Sequence, residues 1–244
     1  MWNVNPDSAI AIIPARFQST RLPGKPVIEV RGKTLIEHVY RRVEQAGSIE
    51  RILVATDDER IAQAVQRFGG NVIMTRIDHQ SGTDRLAEAA GKLPEDALVV
   101  NVQGDEPMIE PEVIDRAVAV ARLKDSEIVT LRTKLADRAD IEDSNRVKVV
   151  VNRDGLALYF SRSPIPSSGT TFLHLGLYVY RAGFLRRFTR LERTPLEIGE
   201  RLEQLRALEH GIRIKAVETK YDSLGVDTPE DLEQVRRLIA APTT

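Results

Sequence analysis

Short apolar runs rich in β-branched residues alternate with amphipathic stretches along most of the 244-residue chain. Residues 8–14 read SAIAIIP, which is typical of a strand buried on both faces of a sheet. Similar runs predict strands at 51–55, 71–74, 97–102 and 127–133, and helical periodicity covers 34–46, the stretch from 57 to about 69, and 110–122. This spacing predicts an α/β fold in three layers, with a mostly parallel, twisted sheet flanked by helices.

The last third of the chain is less regular and predicts a β-rich segment. Strand-like runs cover 147–151, 156–160 and 172–180, and a loop rich in Ser, Pro and Gly lies between the last two. Helical patterns at 196–209 and 228–239 flank a strand at 212–217. No linker interrupts the pattern, so we expect one domain over residues 1–244. In such folds, ligands bind where the strands end.

Composition excludes several functional classes. Lys and Arg number 35 and Asp and Glu 36, so the net charge of −1 predicts neither a nucleic-acid partner nor a membrane partner. The chain has no cysteine, which excludes disulfides, thiolate metal sites and a cysteine nucleophile. A cysteine-free chain fits the reducing cytoplasm, where we expect this protein. Residues 1–8 carry no apolar signal core, and the apolar runs are far shorter than the ~20 residues of a membrane span.

A cationic loop follows the first predicted strand. It contains Arg16, Arg21 and Lys25, with Gly24 allowing close approach of the backbone. Cations after a buried strand suit an anion with many oxygens, such as a triphosphate; the alternative is a solvated basic loop. The loop is not a Walker A motif, because Pro26 follows Lys25, and no two glycines in the chain have the spacing of a dinucleotide fingerprint.

Two aspartates stand at positions suited to a metal ion. Asp105 follows the predicted strand at 97–102, and Asp227 precedes the last predicted helix. A carboxylate at the carboxyl edge of a sheet is well placed to hold Mg²⁺ against a phosphate. Taken alone, Asp105 fits a turn residue and Asp227 a helix cap equally well. We expect Asp57 and Asp58 to cap a helix rather than bind metal.

Motifs along nearly the whole chain resemble those of one enzyme family. They are IIPARFQSTRLPGKP (12–26), VATDD (54–58), MTRIDHQSGTDR (74–85), VNVQGDEPMI (100–109), ALYFSR (157–162), HLGLYVYR (174–181), LEQLRALEHG (202–211) and GVDTPEDLE (225–233). In this order they resemble the sugar nucleotidyltransferases and, more narrowly, the 3-deoxy-manno-octulosonate (Kdo) cytidylyltransferases. The resemblance implies a Rossmann-like nucleotidyltransferase fold. It also implies that CTP and Kdo give CMP-Kdo and pyrophosphate for lipopolysaccharide biosynthesis.

The same resemblance implies roles for individual residues. It assigns catalysis to Arg16, Lys25, Asp105 and Asp227, with Mg²⁺ bound by the two aspartates. The implied nucleotide site comprises Pro14, Ala15, Arg16, Arg21, Lys25, Ser81, Gly82, Arg85 and Gln103. The implied sugar site comprises Gln103, Arg162, His174, Tyr178, Glu203 and Gln204. Taken singly, each sugar-site residue has a structural alternative, such as a core histidine at 174 or an exposed helix face at 203 and 204.

The resemblance further implies a homodimer, formed through a sugar-binding and dimerisation segment at roughly 155–195. Only seven residues separate Pro166 from His174, a shorter connection than is usual in the family, and this bears on sugar specificity. Two alternatives remain open. One is the same chemistry on 8-amino-Kdo or another acidic sugar, and the other is a nucleotide-binding module without catalytic activity.

Overall fold

The computed structural model describes residues 9–18, 22–222 and 224–240. The strands in these residues are β1 (Ala9–Ala15), β2 (Glu29–Val30), β3 (Lys33–Thr34), β4 (Ile49–Thr56), β5 (Val72–Met74), β6 (Leu98–Asn101), β7 (Ile128–Leu135), β8 (Lys148–Val151), β9 (Ala157–Ser161), β10 (Thr171–Arg181) and β11 (Ile214–Glu218). The helices are α1 (Leu35–Val43), α2 (Glu59–Arg67), α3 (Gly82–Ala89), α4 (Pro111–Arg122), α5 (Arg138–Glu142), α6 (Ala182–Phe188), α7 (Pro195–Glu200), α8 (Gln204–Glu209) and α9 (Pro229–Ala240).

One mixed sheet organises these elements. Its main path runs β11-β7-β10-β6-β1-β4-β5, and β8 and β9 extend it beside β10. Pairs β1–β4, β1–β6, β4–β5 and β7–β11 are parallel, whereas β10 is antiparallel to both neighbours on the path. The predicted mostly parallel sheet is therefore confirmed, with β10 as the exception on the path. The loops singled out in the sequence follow the carboxyl ends of the parallel strands β1, β4 and β6, at one edge of the sheet.

Helices cover the sheet on both faces, as the three-layer prediction requires. Along β1, Ala11 and Ile13 face a core that includes helices α1, α2 and α4, whereas Ile10 and Ile12 face a core with α3, α6 and α8. This alternation is the period of two expected for a strand buried on both faces. Among the described residues, no helix is both long and apolar enough to span a membrane.

Short polar side chains cap the N-termini of the helices that follow β4 and β5. Asp58 caps α2 by accepting a hydrogen bond from the Arg60 N–H at 2.9 Å, as predicted. Ser81 forms a capping box with Asp84 at the start of α3. These caps satisfy backbone N–H groups that would otherwise lack partners at the helix starts.

A bulge interrupts β10 at its centre. Its register against β7 shifts between Leu175 and Tyr178. The Thr130 hydroxyl of β7 lies 3.1 Å from the Leu175 carbonyl oxygen and 2.8 Å from that of Leu177, which bonds the bulged backbone to its neighbour strand. The bulge turns the carbonyl of Gly176 toward the end of β6, where the site lies.

One predicted helix is wrong in its extent. Residues 196–209 form two helices, α7 and α8, because the backbone turns left-handed at Arg201 (φ 55°). The short hairpin β2–β3 and helices α5 and α6 are not among the predicted elements, because two to seven residues are too few to show a repeated hydrophobic period. The Ile165–Pro166 peptide bond before β10 is cis.

Candidate active site

Lys25 joins the two predicted metal-binding aspartates. Its Nζ lies 2.7 Å from Asp105 Oδ2 and 3.1 Å from Asp227 Oδ1. The backbone supports this approach, because the Val226 N–H donates to the Asp105 carbonyl oxygen at 2.8 Å. Lys25 opens a 3₁₀ turn directly after Gly24, whose φ of 70° suits glycine. The fold therefore brings together three residues from distant parts of the chain.

The electrostatics of this cluster favour a charged lysine. Burial by itself would lower the pKa of Lys25, but Asp105 and Asp227 outweigh burial and raise its pKa above the usual value. Lys25 is the more buried partner, with a side-chain exposure of 14%, against 30% for Asp105 and 48% for Asp227. The two carboxylates remain accessible from solvent, so a second cation has a path to them.

The two carboxylates fit the chemistry of Mg²⁺. Within the described residues, no group of three or more acidic or histidine side chains is placed to hold a metal ion. Mg²⁺ in nucleotide enzymes is usually held by one or two carboxylates together with phosphate oxygens and water. Asp105 and Asp227 match that protein share in number and in chemistry.

The turn after β6 lies directly against the end of β1. A Cβ on Gly104 would stand 3.1 Å from the Pro14 carbonyl oxygen, so glycine permits this close approach. Arg16, just past β1, donates from Nη2 to the His79 carbonyl oxygen at 3.0 Å and so connects the first loop to the loop before α3. The predicted Arg21 lies outside the described residues.

A cavity of about 200 Å³ lies beside this edge. Six of the predicted site residues line it: Pro14, Gly82, Gln103, Tyr178, Glu203 and Gln204. Thr83, Asn101, Ile128, Tyr180 and Phe188 complete the lining. The structure thus places residues that the sequence assigned to the nucleotide and to the sugar around one small space.

Two polar side chains in this cavity are held in place by distant partners. Gln103 donates from Nε2 to the Gly176 carbonyl oxygen in the β10 bulge at 2.9 Å. Glu203 accepts a hydrogen bond from the Thr83 hydroxyl at the start of α3. Burial raises the pKa of Glu203, opposed by its bonds to Thr83 and by Arg206. These contacts fix the orientation of an amide and a carboxyl group at the cavity wall.

His174 is buried behind this cavity rather than exposed within it. Its ring packs against Phe160 and Tyr178, and its Nε2 lies 3.0 Å from the Thr130 hydroxyl. Burial lowers the pKa of His174 to about 3, so the ring is neutral at pH 7. His174 also lines a larger cavity of about 470 Å³, which reaches Glu106, Arg146 and Asp227. A neutral imidazole offers hydrogen bonds but no charge to a sugar carboxylate.

Arg85 and Arg162 lie outside the linings of both cavities. The Arg85 side chain is fully buried and pairs with Asp57 at 3.2 Å, and its role in the nucleotide site stays a prediction. Arg162 donates from Nε to the Glu200 carbonyl oxygen at 3.1 Å and from Nη1 to the Ser144 carbonyl oxygen at 3.0 Å. Its contact with a sugar carboxylate remains a prediction.

Of the five lining residues that the sequence predictions missed, Thr83 and Asn101 carry a hydroxyl or an amide that can bond a ligand. Thr83 follows two residues after the helix cap Ser81, and its hydroxyl orients Glu203. For Asn101 the sequence does contain an indication of a polar site, because it is the only amide in the apolar run ALVVNV at 97–102. An amide within a run that otherwise reads as a buried strand indicates a polar contact at the strand end.

The cytidylyltransferase family profile matches residues 10–214. A 3-deoxy-manno-octulosonate cytidylyltransferase of Geobacter metallireducens is 50% identical over 243 residues, covering 92% of this chain and 95% of the relative. One of Syntrophotalea carbinolica is 51% identical over 245 residues, covering 93% and 97%.

Solved structures agree with these relatives. A CMP:2-keto-3-deoxy-manno-octonic acid synthetase complexed with CTP is 44% identical, with a TM-score of 0.90, and covers 96% of this chain and 98% of that chain. A 4-diphosphocytidyl-2C-methyl-D-erythritol synthase, 19% identical with a TM-score of 0.67 and covering 95% and 98%, shares the fold. By identity, coverage and fold, the chain belongs to the cytidylyltransferase family, among the 3-deoxy-manno-octulosonate cytidylyltransferases.

Proposed function

We propose that the protein transfers CMP from CTP to the anomeric hydroxyl of Kdo, giving CMP-Kdo and pyrophosphate. The Lys25–Asp105–Asp227 cluster beside a small polar cavity at one sheet edge carries this proposal. A cationic and acidic cluster suits a triphosphate, and the adjoining cavity suits an acceptor. The names of the relatives and the CTP complex of the similar structure support both substrates.

The reaction is a displacement at phosphorus. The anomeric oxygen of Kdo forms a bond to the α-phosphorus, the bond from that phosphorus to the bridging oxygen breaks, and pyrophosphate leaves with the electron pair. The hydroxyl proton passes to solvent. Lys25, and Arg16 in the first loop, supply positive charge toward the phosphate oxygens, so the protein contributes mainly positioning and electrostatic stabilisation.

Asp105 and Asp227 would hold Mg²⁺ in this reaction. When bound, the ion neutralises phosphate charge and orients the leaving group. Lys25 contacts one oxygen of each carboxylate, Asp105 Oδ2 and Asp227 Oδ1, and its ammonium would add positive charge beside the ion for the triphosphate.

We also propose that the protein acts as a homodimer. Strand β9 pairs only with β8 among the described strands, and Leu158 on this edge strand is 61% exposed. In neighbouring α7, Leu196 and Ile198 are 40% and 58% exposed. Glu200 of α7 accepts a hydrogen bond from Ser161 of β9 at 2.7 Å, which holds these two elements together. An open strand edge beside exposed apolar side chains is typical of an interface.

The cytoplasm is the proposed site of this reaction. CTP is a cytoplasmic nucleotide, and the chain carries no cysteine that an oxidising compartment would pair. The proposed product, CMP-Kdo, is an activated sugar for lipopolysaccharide assembly.

Pyrophosphate release is the experiment that tests the function. Purified protein is mixed with CTP and Mg²⁺, with and without Kdo, and parallel reactions contain UTP or 8-amino-Kdo. We expect release that requires both CTP and Kdo, with much less from UTP. Release with 8-amino-Kdo but not with Kdo would show that the proposed acceptor is wrong, whereas CMP transfer from CTP would still be supported. CTP binding without release for any acidic sugar would indicate a nucleotide-binding module and overturn the proposal.

A further inference from the structure

Asn101 is a buried amide whose carbonyl oxygen has no hydrogen-bond partner among the described residues. The residue ends β6 and is 4% exposed. Its Oδ1 is buried and unbonded, although almost all buried polar atoms in proteins find a partner. Asn101 also lines the cavity of about 200 Å³. The cavity of the proposed acceptor site therefore lies beside this amide.

The neighbours of Asn101 on the sheet give the amide no structural purpose. In register, it lies between Ile12 of β1 and Tyr178 of β10. Val99, two residues earlier on the same face of β6, belongs to an apolar core with Ile12. A leucine would suit this row better, because an unpaired buried amide destabilises the fold whereas an apolar side chain would stabilise it. Retaining the amide is thus explained by a ligand that supplies the missing hydrogen bond.

The cavity favours a monosaccharide as that ligand. Its volume of about 200 Å³ is below the ~300–1,000 Å³ typical of drug-sized ligands, so it suits one sugar ring rather than a nucleoside triphosphate. Ile128, Tyr180 and Phe188 form an apolar part of the wall, which suits the C–H face of a sugar. Gln103, Gln204 and Glu203 add polar groups that can bond hydroxyls.

We propose that Asn101 is a further acceptor-binding residue, whose Oδ1 accepts a hydrogen bond from a hydroxyl of the sugar. This inference rests on the proposed function and adds a specificity determinant to it. It assigns Asn101 to the acceptor and not to CTP. In the free protein the unpaired amide lowers the stability of the fold, and in the complex it adds one hydrogen bond to the sugar.

Kinetics and thermal unfolding of Asn101→Leu test this assignment. We expect the KM for Kdo to rise about three- to ten-fold, which is the range for one lost hydrogen bond. We expect the KM for CTP to stay within two-fold of the wild type and the Tm to stay equal or rise. Asn101→Ala is measured in parallel, because a small side chain cannot block the cavity.

Asn71→Leu is the matched control. The Asn71 amide donates to Tyr40 Oη and to the Ile52 carbonyl oxygen, both at 3.2 Å, and precedes β5 at the other end of its strand from the site. We expect this variant to lower the Tm and to leave both KM values unchanged. The pair of variants thus separates a satisfied structural amide from one that serves a ligand.

Several outcomes would overturn the inference. An unchanged KM for Kdo in both Asn101 variants would remove the sugar contact, and an equal rise in the KM for CTP would move the residue to the nucleotide site. A rise with leucine but not alanine would reflect bulk alone. If the wild type turns over CTP and Kdo, these outcomes count against Asn101 only; a wild type inactive with Kdo would instead overturn the proposed function and this inference with it.

Discussion

At the scale of single residues, Asp105 and Asp227 carry the proposed metal chemistry. We expect Asp105→Asn and Asp227→Asn each to abolish Mg²⁺-dependent turnover, because an amide oxygen binds Mg²⁺ far more weakly than a carboxylate. The Tm should change little, since both side chains are partly exposed. The measurement is pyrophosphate release over a Mg²⁺ titration, together with thermal unfolding.

A matched aspartate serves as the control for these variants. Asp137 caps α5 through a hydrogen bond from the Ala139 N–H at 2.8 Å. Asp137→Asn should keep normal turnover, because asparagine caps a helix equally well. Near-normal turnover in Asp105→Asn or Asp227→Asn would exclude that residue as a ligand.

Arg162 is the residue that the sequence predicts for the sugar carboxylate. We expect Arg162→Ala to raise the KM for Kdo far more than the KM for CTP, because the sugar carries the carboxylate that a guanidinium binds. Steady-state kinetics with each substrate varied in turn provide the test. Equal effects on the two KM values would show that Arg162 acts only through its bonds to Glu200 and Ser144.

His174 makes stability depend on pH. Its pKa is lowered from 6.5 to about 3 by burial, so below pH 6.5 the unfolded chain binds a proton that the folded chain does not. Stability contributed by the neutral ring is therefore present above pH 6.5 and lost as the pH falls toward 3. Between pH 7 and pH 5, we expect the wild type to lose about 2 kcal/mol more than His174→Gln. Denaturant unfolding at both pH values measures this, and equal losses would show that His174 protonates freely in the folded state.

At the scale of elements, a buried ion pair holds the two short helices near the cavity together. Glu197 of α7 accepts from Arg206 of α8, with Nε to Oε2 at 2.8 Å and Nη2 to Oε1 at 2.6 Å. The side chains of Glu197 and Arg206 are 4% and 8% exposed. Arg206 also lies 3.4 Å from Glu203, so this pair links the α7–α8 packing to the cavity wall.

Breaking this pair should destabilise the fold. We expect Glu197→Ala to lower the free energy of unfolding by about 3–5 kcal/mol, because it leaves a buried guanidinium without its main partner. The double variant Glu197→Ala/Arg206→Met should lose clearly less than the sum of the two single variants. Denaturant unfolding of all four proteins measures the coupling, and simple additivity would contradict a direct interaction.

At the scale of the whole molecule, the edge formed by β9 and α7 predicts the oligomeric state. We expect the wild type to be a dimer and Leu158→Glu/Ile198→Glu to be a monomer, because a charge at an apolar interface must be desolvated. Size-exclusion chromatography coupled to light scattering measures the molar mass of the wild type and of each variant. The exposed Leu123→Glu, on the helix end after α4, is the control and should remain dimeric. A monomeric wild type would remove the dimer proposal.

Local patterns in the sequence predicted most of the strands and the helices that follow them. The described part of the apolar run at 8–14 lies in β1 (Ala9–Ala15), and Asp58 of the acidic pair before residue 59 caps α2. These features depend on residues within a few positions of one another, so periodicity and capping chemistry report them directly. The division of residues 196–209 could not be predicted, because the left-handed Arg201 has an ordinary helix-forming side chain.

By itself, the sequence determined the alternation of strands and helices, the caps, and the residue types that reach the sheet edge. Tertiary structure decided which of them meet: Asp105 with Asp227 through Lys25, Glu203 with Thr83, and Asn101 with the small cavity. The fold also keeps the ion pair of Arg85 and Asp57 outside the linings of both cavities. The secondary-structure preference of a residue depends on neighbours within one helical turn or one strand. The contacts between distant residues depend instead on strand order and on the β10 bulge, which are properties of the assembled sheet.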